Sequence, residues 1–339
     1  MHNKIMNKRI EYIDALRGLA MYLVVYLHIK SWGGYSAYSN LVGEIFVTFY
    51  LPLFFFISGY LLYKHKIYTT KETMKVLSKK VLNFLIPMIV FSLLYSISRE
   101  YFVSIYRPIY WFMLVLLEMY AIYYLLRLII KNEKIFLCIL VIISIIGVGL
   151  ITFKIGYGNK YYELFCLENL LKYFQFFSIG IVAKCYNNIY ENVLKNSAIN
   201  AIAIIAFVVA ITLVRSYNAM ECSPIIGGLM RGIVSRYAGL FIIVSLFYRY
   251  RDMFARNGLI SRAMQLIGKR TIDIYMIHYF LLNYSSICVA KIMGLNYIPF
   301  EIFGISVLAL SNICICLLLS ECIRNSKFLA KYLFGAKTA

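Results

Sequence analysis

The sequence predicts an all-α integral membrane protein, a bundle of about ten transmembrane helices with both termini in the cytoplasm. Three observations carry that prediction. Hydrophobic residues fill 62% of the 339 positions, far above the share in a soluble domain. Apolar runs long enough to cross a bilayer recur along the whole chain. Lys and Arg gather on alternate connections between those runs, the pattern that orients membrane helices. The formal net charge of +20 therefore reads as topology, and no nucleic-acid partner is expected.

The expected spans are 10–32, 41–63, 81–98, 109–126, 135–153, 169–183, 197–214, 225–248, 271–290 and 299–323. With the N-terminus inside, the inner segments hold 24 of the 35 Lys and Arg, and the outer ones, Lys30 among them, hold seven. The chain is expected to be a single transmembrane domain over 1–339, with no separate soluble domain and no cleavable signal. Membrane lipid is its surroundings, and a cell membrane its location.

The first span, RIEYIDALRGLAMYLVVYLHIKSW, carries ionisable groups where lipid disfavours them. Arg17 and His28 are eleven residues apart, which at about 100° per residue returns to within roughly 20° of one helical face. Asp14, three residues before Arg17, joins that face. Along the axis Arg17 and His28 stand roughly 16 Å apart, about half a bilayer core. Asp14 and Arg17 either pair at the interface or serve a site. For His28, functional use is the favoured reading over a satisfied core histidine.

The second span contains YLPLFFFISGYLLY. Ser58-Gly59 within it allows close backbone approach and reads first as a packing notch. A basic segment follows, KHKIYTTKETMKVLSKK, ending in Lys79 and Lys80. Such a loop attracts anionic headgroups or a phosphorylated ligand. Pro87 lies in the third span and can kink it. Tyr110 and Trp111 open the fourth at an expected outer aromatic belt. Glu118, near the middle of that span, needs a partner or a proton, and Arg231 and Arg236 of the eighth are its expected partners. Those arginines alternatively hold an anionic ligand. Gly180 in the sixth span is another small packing residue. The ninth begins at Lys269 and Arg270, and carries Tyr275 and His278 on one face. The cysteines lack zinc-type spacing, so no metal is expected. Cys166 and Cys222 both fall on the expected outer side, where pairing is open.

Together these segments resemble the acyltransferase-three family of integral membrane O-acyltransferases, over nearly the full chain. The resemblance rests on IDALRGLAM with Arg17 and His28, FFFISGYLL with Ser58-Gly59, the basic pair before Pro87, YWFMLVLLEMY, FFSIG and GKRTIDIYMIH, in that order. The sequence departs from the pattern at Leu116 and Leu117, where some members carry acidic residues. The resemblance implies an acyl-CoA donor, usually acetyl-CoA, entering from the cytoplasm, with no permanently bound cofactor. It implies an acceptor hydroxyl on a carbohydrate or envelope glycan.

Acyl transfer to an alcohol needs a base, and a neutral imidazole suits neutral pH. His28 is therefore the expected catalytic base or acyl relay, with Arg17 and Asp14 beside it in the catalytic set. Lys79, Lys80, Lys269, Arg270 and Ser58 are candidates for donor binding. Glu118, Arg231, Arg236, Tyr275, His278 and Trp111 are candidates for acceptor or relay contacts. A transporter or flippase of a lipid-linked sugar, using the same charged residues, is the competing reading. The absence of inverted repeats weighs against it.

Overall fold

A computed structural model describes residues 11–99, 109–155, 158–220, 228–255, 258–295 and 297–335. It is helical throughout, with no strand among the described residues. Among the described residues, eight helices are long and apolar enough to cross a membrane. They correspond to eight of the ten expected spans. The remaining two expected spans are also helical, as α7 (Leu167–Cys185) and α13 (Thr271–Met293). Both carry polar residues along their length. Glu168, Lys172 and Lys184 fall in α7, and Asp273, His278, Asn283 and two serines fall in α13.

The chain divides into two compact units. The first holds residues up to Phe54, then Asn188–Ile274 and Leu281–Cys314. Its elements are α1 (Glu11–Trp32), the start of α2 (Leu41–Leu62), α8 (Asn187–Lys195) and α9 (Ser197–Met220). A π-helical turn at Met230–Val234 leads into α10 (Ser235–Arg249), followed by α11 (Arg251–Ala255) and α12 (Leu259–Lys269). Parts of α13 and of α14 (Ile298–Arg324) complete it. The helix α1 is its core, packed on α12, α11 and α10.

The packing of α1 on α12 has a local cause. A Cβ at Gly18 would strike the Met264 carbonyl, and a Cβ at Gly268 would strike the carbonyl of Asp14. Each glycine admits the other helix's backbone, a reciprocal notch typical of small residues between membrane helices. The segment 249–270, expected as a cytoplasmic loop, is thus mostly helix.

The second unit holds Phe55–Asn187, Tyr275–Phe280 and residues from Ile315 on. It comprises the rest of α2, then α3 (Thr70–Arg99), α4 (Trp111–Ile129), α5 (Glu133–Thr152), the short α6 (Lys160–Leu164), α7 and α15 (Lys327–Phe334). Here α3 packs on α4 and α15, and α7 on α4 and α5. A second reciprocal notch joins α2 to α7. A Cβ at Gly59 would meet the Phe177 carbonyl, and one at Gly180 the carbonyl of Phe56. The two small residues read separately from the sequence are therefore one contact.

Helix α3 begins at Thr70, about three turns earlier than the expected span. A capping box sets its start: the Glu72 N–H donates to Thr69 Oγ1 at 3.3 Å, and the Thr69 N–H donates to Glu72 Oε2 at 3.1 Å. Both Pro52 and Pro87 lie inside their helices.

Candidate active site

Asp14, Arg17 and His28 lie on α1, as the periodicity requires. Asp14 is buried, while Arg17 and His28 are half-buried. Because Gly18 and Gly268 bring the two backbones together, Asp14 and Arg17 lie beside the end of α12. Arg17 Nη2 donates to Thr271 Oγ1 at 3.2 Å. This places Arg17 next to Lys269 and Arg270, which immediately precede Thr271. Lys269 is exposed; Arg270 is half-buried and reaches Asp273 at 3.5 Å. Asp273 is itself buried, so part of the Arg270 charge is already committed. The start of α1 therefore gathers two acids and three cations within the first unit.

The other half of α1 is fixed to α14. Tyr22 Oη donates to Ser306 Oγ at 2.8 Å. Lys30 Nζ pairs with Glu301 Oε1 at 2.8 Å, and Asn40 Nδ2 donates to the same oxygen at 2.5 Å. Lys30 is fully buried, which corrects its reading as an outer-loop charge. Its partner lies far along the chain, so no local signal marks it. Buried pairs of this kind hold geometry more than they add stability. His28 thus sits on a helix held on both sides along its length. Arg236 is half-buried on α10, and Arg231 lies in the π turn, with its side chain outside the described atoms.

In the second unit, Ser58 is half-buried beside the Gly59 notch. Lys79 is exposed, and Lys80 lies over the Tyr120 ring at 3.9 Å. Both stand on helix α3 rather than on a loop. Upstream, Lys66 Nζ pairs with Glu72 Oε1 at 2.7 Å, and this carboxylate raises the Lys66 ammonium above its ordinary pKa. Lys66 is thus less available to an incoming anion than the loop composition implied.

Trp111 stacks on Tyr173 with ring centroids 6.2 Å apart, and Tyr173 stacks on Phe55 at 5.1 Å. Tyr110 is fully buried and donates to the Met276 carbonyl at 2.9 Å, so it is a core group instead of a belt residue. Tyr275 and His278 share a face of α13, as expected. His278 is fully buried, with its ring 5.8 Å from Tyr275 and 4.2 Å from Tyr279. Tyr275 in turn meets Phe112 at 5.6 Å and Tyr110 at 5.8 Å. Glu118 is half-buried on α4, and its Oε2 has no hydrogen-bond partner among the described residues. Glu118 belongs to the second unit, whereas both arginines expected to pair with it belong to the first.

Sequence reasoning missed three features. The Lys30–Glu301–Asn40 cluster joins distant positions. Asp273 lies inside GKRTIDIYMIH, and its burial beside Arg270 has no marker in that segment. Arg127, the residue after the fourth expected span, is buried and donates to the Lys66 carbonyl at 3.1 Å. Its position at the end of an apolar span is the signal available in the sequence. Of the two cysteines whose pairing the sequence leaves open, Cys166 is buried and Cys222 lies outside the described residues.

No curated protein and no solved structure matches the chain. The family model described as an acyltransferase domain, acyltransferase family 3, matches residues 10–321, which includes α1 with its Arg17 and His28; the chain belongs to that family of membrane acyltransferases.

Proposed function

We propose that this membrane acyltransferase moves an acyl group, acetyl in the simplest case, from cytoplasmic acyl-CoA to a hydroxyl of a cell-surface or lipid-linked carbohydrate. It works in the cell membrane with both termini inside. The observation that carries the proposal is the anchored α1 stripe. It pairs a half-buried histidine with an arginine about three helical turns away, beside a cluster of cations.

In this reading His28 acts as the base. Its neutral imidazole takes the acceptor hydroxyl's proton while the oxygen attacks the thioester carbonyl. The C–S bond then breaks, and the CoA thiolate leaves with a proton returned from the imidazolium. In a two-step variant the imidazole itself carries the acyl group. Arg17, held by Thr271, orients the donor, and Asp14 sets the local charge. Lys269, Arg270, Lys79, Lys80 and Ser58 are proposed for the donor's phosphates and chain. Trp111, with its stacked Tyr173, offers the flat apolar face a sugar ring packs against. Tyr275, His278, Glu118, Arg231 and Arg236 are proposed for acceptor or relay contacts.

The test uses detergent-purified protein, acetyl-CoA labelled in the acetyl group, and an envelope-glycan extract. Labelled glycan appearing with an equal amount of free CoA supports the proposal. Failure to bind or turn over any member of an acyl-CoA panel refutes it and leaves sugar transport as the reading to pursue.

A further inference from the structure

One cluster in the second unit lies outside the proposed chemistry. It forms where α2 ends, α5 begins and α7 ends. Tyr63 follows the last residue of α2, with its N–H bonded to the Gly59 carbonyl at 3.2 Å. His65 comes two residues later. Glu133 is the first residue of α5, which Asn132 caps at 3.2 Å. Cys185 is the last residue of α7. His65 Nδ1 lies 3.2 Å from Glu133 Oε2. The Tyr63 hydroxyl touches all three: it is 3.0 Å from His65 Nδ1, 3.4 Å from Cys185 Sγ, and donates to Glu133 Oε1. One nitrogen, one carboxylate oxygen and one sulfur thus converge on a single point, all within 4.8 Å of one another.

We propose that His65, Glu133 and Cys185 bind a divalent transition-metal ion of the zinc type, in place of the contacts they now make with the Tyr63 hydroxyl. Bonds of about 2.0–2.1 Å to nitrogen, 2.0–2.2 Å to oxygen and 2.3 Å to sulfur set donor separations of roughly 3.3–3.8 Å. The His65 side chain is 65% exposed and that of Glu133 34%, and Cys185 is half-buried, so the three have room to close from within 4.8 Å toward that spacing. The sulfur and imidazole donors select zinc-like ions over magnesium or calcium. On binding, the Cys185 thiol gives its proton to solvent, and thiolate and carboxylate together offset the charge of the ion. Three protein donors leave a fourth position to water. Positions 65, 133 and 185 follow no metal-binding spacing and come together only through the packing of α2, α5 and α7. Such an ion would clamp the start of the basic segment 64–80 to α5 and α7, independently of the acyl-transfer proposal.

The experiment takes the full-length protein in detergent, strips it with a chelator and titrates it with Co2+. The expected result is one Co2+ per chain, with a near-ultraviolet thiolate-to-cobalt band and the strong visible bands of four-coordination, both removed by Zn2+. Cys185→Ser loses the thiolate band. His65→Ala and Glu133→Gln weaken binding at least ~10-fold. Tyr63→Phe keeps both the band and the stoichiometry. Wild-type protein without the band, or a band that survives Cys185→Ser, overturns the proposal. A second measurement needs no variant. Zn2+ should slow alkylation of Cys185 and leave the exposed Cys322 unaffected; equal alkylation of Cys185 with and without Zn2+ also overturns it.

Discussion

Adding one methyl group at Gly18 or Gly268 should damage both stability and transfer. A Cβ at Gly18 would stand 2.9 Å from the Met264 carbonyl carbon, and one at Gly268 would stand 2.7 Å from that of Asp14, with each carbonyl oxygen closer still. Comfortable carbon contacts lie near 3.5–4.0 Å, so α1 and α12 must separate by roughly 1 Å. Overpacking typically costs about 1–3 kcal/mol. These sites belong at the upper end, ~3 kcal/mol, because the obstructing atoms are backbone on both sides. The same separation pulls Arg17 from Thr271, now 3.2 Å away. A displacement near 1 Å at a reacting geometry lowers rate by as much as ~100-fold. The assays are thermal unfolding in detergent and acetyl transfer at saturating donor. Gly149→Ala is the control: nothing lies within 4 Å of its Cβ position, and alanine in a helix gains about 1 kcal/mol over glycine. If Gly18→Ala and Gly268→Ala melt and transfer as Gly149→Ala does, the notch is not what positions α1.

Two further outcomes are expected. Glu301→Leu strands the buried Lys30 ammonium and should cost about 3–5 kcal/mol. Lys30→Met added to it should recover most of that loss, read as coupling in a double-mutant cycle of melting temperatures. Thr69→Ala removes half of the α3 capping box and should cost about 1 kcal/mol, with amide exchange increasing in residues 70–75 and not elsewhere.

Features set by local spacing were legible in the sequence. Asp14, Arg17 and His28 share a helix because eleven residues and three residues return to one face. Tyr275 and His278 do so for the same reason. Contacts between helices were not legible. Ser58-Gly59 and Gly180 each read as a notch, but only the packed helices join Gly59 to Phe177 and Gly180 to Phe56. Lys30 looks like an orienting charge until Glu301 is placed beside it. The early start of α3 was available in Thr69 and Glu72, three apart before an apolar run. The net basicity of that segment masked the signal. Arg127 teaches the same lesson: counting charges by segment assumes that each one faces water.

In the proposed mechanism His28 does the chemistry on an α1 held by its contacts with Thr271, Ser306 and Glu301. The most direct measurement compares wild type with His28→Ala for transfer of labelled acetyl and for binding of CoA. General-base catalysis is worth about 10²–10⁴-fold, so the account predicts a loss of transfer of at least ~100-fold with CoA affinity unchanged. A His28→Ala protein that inserts and melts normally yet transfers acetyl at the wild-type rate would contradict it.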